Sequence, residues 1–205
     1  MLTGLANQLT LFRIATIPVL VGLFYVDQPL GNWLACGLFS VSALTDFFDG
    51  YIARTLRQQS AFGRFLDPVA DKLLVAATLL MLVGFGQIDS LTILPAVVIL
   101  CREILVSGLR EFLAETRVGL PVSQLAKWKT LLQMFAIGFL IVGDTGPAWL
   151  PVRLIGESGL WLAAALTLVT GYDYLRASLR HLEPAPRQGS PKAEAKAPEA
   201  GARRG

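Results

Sequence analysis

Four aspartates stand in two close pairs in strongly apolar flanks, Asp46 with Asp49 and Asp67 with Asp71. Spacings of three and four put each pair on one face of a helix. Clustered carboxylates repel one another strongly at low dielectric. They tolerate each other when divalent cations sit between them, and hard oxygen donors suit Mg²⁺ or Mn²⁺. Two such ions about 3.5–4 Å apart clamp a diphosphate and activate an attacking hydroxyl. The plain alternative is four unrelated charges at a membrane surface. That arrangement is expensive, because an acidic residue at a span centre costs about 2.5–3.5 kcal/mol, and less near the ends. The pattern points to two-metal chemistry on a phosphorylated substrate.

The elements that must position these carboxylates are membrane helices. Apolar residues make up 54% of the 205-residue chain and charged residues only 16%, where a soluble domain carries about 25% charged residues. A span needs about 20 mostly apolar residues. Stretches of that kind fall near 10–26, 33–50, 68–86, 91–112, 124–143 and 158–178, separated by breaks rich in Gly, Pro and Asp. The expected fold is all-α and integral to the membrane, with six transmembrane helices and a short interfacial helix at the N-terminus. The segment 1–8 lacks the basic start and cleavage site of a signal peptide. Asp46 and Asp49 close the second span, and Asp67 and Asp71 open the third. The two spans are antiparallel neighbours joined by a short basic loop, so the four carboxylates meet at one end of a helix pair.

Lys and Arg placement orients the chain. The connections near Asp27 and Asp89 carry neither, and the one near 144–157 carries only Arg153. The opposite side holds Arg54, Arg57, Arg64, Arg117, Lys127, Lys129, Arg176 and Arg180. Both termini are therefore expected in the cytoplasm. Residues 1–182 form the membrane domain, and 183–205, with almost nothing to bury, a disordered tail. The net charge of +3 is too small to argue for nucleic acid. Cys36 and Cys101 read as small buried hydrophobes, and His181 as a solvated side chain.

The aspartates belong to a longer pattern, Asp46-x2-Asp49-Gly50-x2-Ala53-Arg54-x8-Gly63-x3-Asp67-x3-Asp71. At every fixed position it resembles the signature of the CDP-alcohol phosphotransferase family. The resemblance implies two bound divalent cations. Asp46 and Asp67 correspond to ligands shared by both ions, Asp49 to a ligand of one, and Asp71 to a ligand of the other and the general base. Gly50, Ala53 and Gly63 correspond to the small positions that let cytidine approach the backbone, and Arg54 to the arginine on the CDP diphosphate. Physics agrees: glycine admits close approach, and a guanidinium forks onto phosphate oxygens.

The signature leaves the acceptor alcohol open. Arg110, Lys127 and Lys129 stand where they could converge beside the aspartates, which would suit an acceptor carrying its own phosphate. They read equally well as positive-inside residues beside an Arg102–Glu103 structural pair. Further motifs favour the first reading. Asn7 to Arg13 with Pro18, Arg102-Glu103-Ile104, Gly108 to Phe112, and Lys127 to Thr130 with Gln133 and Met134 resemble bacterial phosphatidylglycerophosphate synthases. That similarity covers most of residues 5–180. It implies that Arg110, Lys127 and Lys129 hold the phosphate of sn-glycerol 3-phosphate, with Thr10 and Arg13 near the same pocket. It further implies CDP-diacylglycerol as donor, a homodimer, and a bacterial inner membrane. Inositol phosphate or phosphatidylglycerol as acceptor, a prenyltransferase, and a divalent-cation transporter are the alternatives. No Ser, Cys or His flanks the aspartates with a base partner, so direct transfer is expected over a covalent intermediate.

Overall fold

The computed structural model describes residues 5–56, 61–115 and 124–182; for residues 46–56, 61–65 and Asp67 it describes helical placement but not side chains. The apolar runs form helices α1 (Leu5–Leu23), α2 (Leu30–Leu56), α3 (Ala61–Gly84), α4 (Ile93–Glu115), α5 (Gln124–Val142) and α6 (Val152–Leu182), with a 3₁₀ turn at Gly143–Thr145. Each overlaps one of the expected apolar stretches, and several extend past it. The separate N-terminal interfacial helix is corrected: Leu5 to Thr10 run straight into α1. No Gly or Pro interrupts the chain from Leu5 to Ile17, so nothing ends the helix there.

The helices alternate in direction. Phe85 at the end of α3 meets Phe24 and Tyr25 at the end of α1, with ring centroids 5.7 and 5.1 Å away. The Asn32 amide at the start of α2 donates to the Val142 carbonyl at the end of α5, at 3.4 Å. These contacts gather three connections at one end of the bundle. α1 packs on both α2 and α3, α4 on α3 and α6, and α5 on α6 along the most extensive interface. The α5–α6 approach depends on small residues. A Cβ at Gly156 would lie 2.7 Å from Leu140 Cγ, and one at Gly159 would lie 3.0 Å from the Ala136 Cβ. Such close contact is how helices associate where lipid removes the hydrophobic drive. The core runs through Leu20, Phe39, Leu79, Ile99, Ile137 and Leu160.

Many large apolar side chains of the described residues are exposed. Leu44, Leu80, Leu94, Ile104, Phe135 and Leu168 all point outward. A soluble surface rarely holds so much contiguous apolar area, whereas a lipid-facing one requires it. Among the described residues, only Val152–Arg176 in α6 is long and apolar enough on its own to count as a span, while α1 and α2 hold shorter apolar stretches, Thr10–Leu23 and Leu30–Thr45. Cys36 is half-buried and Cys101 exposed, both as free thiols. The expectation of two buried cysteines therefore fails for Cys101, which faces outward from α4.

Candidate active site

Every fixed position of the signature lies in a helix. α2 does not stop at Gly50 but carries Asp46, Asp49, Gly50, Ala53 and Arg54 through to Leu56, and α3 carries Gly63, Asp67 and Asp71. The side chains of Asp46, Asp49, Ala53, Arg54 and Asp67 lie outside the described residues. Asp71 is described, and its carboxylate is partly open, with 22% of the side chain exposed. Its Oδ2 accepts a hydrogen bond from the Lys72 ammonium at 3.0 Å.

That ammonium also donates to Glu103 Oε2 on α4, at 2.5 Å. The other Glu103 oxygen, Oε1, takes two more cations: the Lys129 ammonium from α5 and Arg102 Nη1 at 3.2 Å. Arg102 then reaches α6, where Nη2 donates to Thr170 Oγ1 at 3.1 Å. Gly171 makes room for that arm, since a Cβ there would stand 3.0 Å from Arg102 Cγ. One buried carboxylate thus joins α3, α4, α5 and α6. Buried charges persist when paired and hydrogen-bonded. Removing one partner of such a pair costs about 3–5 kcal/mol, because the other is left uncompensated.

The cations expected for the acceptor's phosphate divide into two kinds. Arg110 and Lys127 are exposed, and the Arg110 guanidinium lies over the Tyr174 ring, 5.8 Å from its centroid. Lys129 is only 2% exposed and is committed to Glu103. Thr10 and Arg13 are buried on α1, the helix that packs against both motif helices. The Arg102–Glu103 pair exists, but as one edge of a larger network. Lys72 and Thr170 were not singled out from the sequence. For Lys72 a signal was present: an ionisable residue in an apolar run, directly after the last motif aspartate, is a functional candidate by default. Thr170 carries no such signal.

The CDP-alcohol phosphatidyltransferase family matches this chain over residues 3–169, which takes in α1 to α5, the first part of α6 and the entire aspartate pattern. The chain belongs to this family. Within the family, it is 49% identical over 178 residues to the CDP-diacylglycerol–glycerol-3-phosphate 3-phosphatidyltransferase of Rickettsia bellii, covering 87% of this chain and 97% of that protein. It is 39% identical over 215 residues to the protein of the same name from Cereibacter sphaeroides, covering 88% and 97%. A chloroplastic/mitochondrial member from Arabidopsis thaliana, also so named, is 40% identical over 184 residues, or 84% of this chain and 62% of that one.

Proposed function

We infer that this chain transfers the phosphatidyl group of CDP-diacylglycerol to sn-glycerol 3-phosphate, giving phosphatidylglycerophosphate and CMP. The observation that carries the reading is similarity along nearly the whole length of transferases of that name, in a chain whose eight-residue signature is complete.

The chain's own residues divide the work. Asp71 takes the proton of the acceptor hydroxyl, whose oxygen then bonds to the lipid-side phosphorus. The bond from that phosphorus to the bridging oxygen breaks, and CMP leaves with the electron pair. Arg54 forks onto the diphosphate, and Gly50, Ala53 and Gly63 let the cytidine lie against the helices. Arg110 and Lys127, both exposed, meet the acceptor's phosphate; Lys129 on α5 and Thr10 and Arg13 on α1 contribute from buried positions. Asp46, Asp49, Asp67 and Asp71 would hold two divalent cations, Mg²⁺ or Mn²⁺. A donor set made only of carboxylate oxygens fits hard cations. Bound there, the ions would neutralise charge on the diphosphate.

The chain works as a six-span protein of the bacterial inner membrane, a homodimer with both termini in the cytoplasm. The alternating helices and the Lys and Arg asymmetry support that arrangement. The test is a panel of acceptors: purified protein, CDP-diacylglycerol and Mg²⁺ with one alcohol at a time, reading CMP release. Release should require glycerol 3-phosphate. Preference for inositol phosphate, phosphatidylglycerol or an unphosphorylated alcohol would overturn the acceptor while leaving the reaction class intact.

A further inference from the structure

We propose that Lys72 and Glu103 are positioning residues for Asp71, acting in series to hold the general base in its working orientation; this rests on the reaction inferred above. The geometry is peculiar in one respect. Neighbouring residues on a helix do not face each other, yet the Lys72 ammonium reaches Asp71 Oδ2 at 3.0 Å. The group that draws Lys72 sideways is on another helix: Glu103 Oε2 on α4, at 2.5 Å. Lys72 thus spans two carboxylates. It pins one oxygen of Asp71, which leaves the other to serve the acceptor hydroxyl and the cation that the aspartates would hold.

Glu103 is itself immobilised. Lys129 and Arg102 share its Oε1, and Arg102 is fixed to Thr170 on α6. The carboxylate on α3 is therefore referenced to three other helices through one lysine. A base oriented by a second group, which is oriented by a third, is the arrangement that activated catalytic groups commonly need. Four-helix bracing alone would not require Lys72 to touch Asp71, because the Lys72–Glu103 pair by itself ties α3 to the Glu103 network.

The experiment is steady-state kinetics on folded, monodisperse wild type, Lys72→Met, Glu103→Gln and the double variant, with Lys72→Arg as the conservative control. Loss of a partner that orients a ligating or catalytic group typically costs about 10–100-fold. Each single variant should lose kcat in that range with KM for CDP-diacylglycerol within a few-fold of wild type. Lys72→Arg should recover part of the loss. The double variant should be no slower than the slower single, because the two side chains act through one chain of contacts. Losses that multiply, or a kcat per folded enzyme equal to wild type in Lys72→Met, would overturn the proposal. Lys72 is the most exposed member of the network, so Lys72→Met decides the matter even if Glu103→Gln does not fold. Wild type that releases no CMP from CDP-diacylglycerol with glycerol 3-phosphate would instead sink the reaction, and this inference with it.

Discussion

Arg110 and Lys129 both read from the sequence as cations for the acceptor's phosphate, yet the fold treats them differently. Arg110 is exposed beside Tyr174, and Lys129 is closed off against Glu103. Their losses should therefore look different. Arg110→Ala and Lys127→Ala should each raise KM for glycerol 3-phosphate by roughly 10–150-fold, the worth of one charge-assisted hydrogen bond, with little change in KM for CDP-diacylglycerol. Lys129→Ala should instead lower the yield and thermal stability of the protein, because it strips a buried carboxylate of a partner. Kinetics and melting curves on the three variants check this, and an unchanged acceptor KM in both exposed variants would remove the phosphate-pocket assignment. The four aspartates stand out in the sequence because their types and spacings are unusual for a membrane chain. The division among the basic residues was not, since it depends on which helix face turns to α6 and which to Glu103. A positive charge in a loop-proximal turn looks the same in sequence whether it ends in water or in a network.

The existence and order of the helices were legible, with ends up to seven residues away from those expected, because breaks such as Pro29 ahead of α2, and Gly143 with Pro147 after α5, interrupt helices by local chemistry. What was missed is how far α2 and α3 run beyond the apolar region, to Leu56 and from Ala61. Hydropathy falls where the polar site begins, although backbone hydrogen bonding continues. Connections also hold local devices that the apolar pattern hides. Ahead of α4, the Asp89 carbonyl accepts from the Ile93 N–H at 3.2 Å, and its Oδ1 accepts from the Thr92 N–H at 3.0 Å. This is an N-cap, and the Thr92 amide holds the Asp89 carboxyl below its ordinary range. A carboxyl lowered in the folded state contributes stability that is full above its unfolded pKa and lost as pH falls through the folded one. Asp89→Ala should therefore melt below wild type at neutral pH, and the gap should close in acid. A gap that does not change with pH would mean that the cap acts only as a neutral hydrogen bond. Gly143 marks a second device: at φ 50° it takes a left-handed conformation that costs other residues about 1–2 kcal/mol.

At the scale of the whole molecule, the bundle has two unlike ends. One gathers the aromatic contacts and the connections without Lys or Arg, and the other half holds Asp71, Lys72, Glu103, Lys129 and Thr170. In a background lacking Cys36 and Cys101, Asp27→Cys and Ala148→Cys should label from outside intact cells, while Gln58→Cys and Val118→Cys should not. Labelling at 58 or 118 from that side would invert the orientation. In the orientation proposed above, the polar half would face the cytoplasm, where nucleotide and glycerol 3-phosphate are found, while the apolar flanks would admit lipid tails. The central claim is that this half joins the acceptor, with its own phosphate, to the lipid. Purified protein should be given CDP-diacylglycerol, Mg²⁺ and glycerol 3-phosphate radiolabelled in its phosphate. Label should appear in the lipid fraction and CMP be released in equal amount, both abolished by chelating the metal and restored by adding it back. CMP appearing without labelled lipid, or labelled lipid forming undiminished in excess chelator, would contradict that claim.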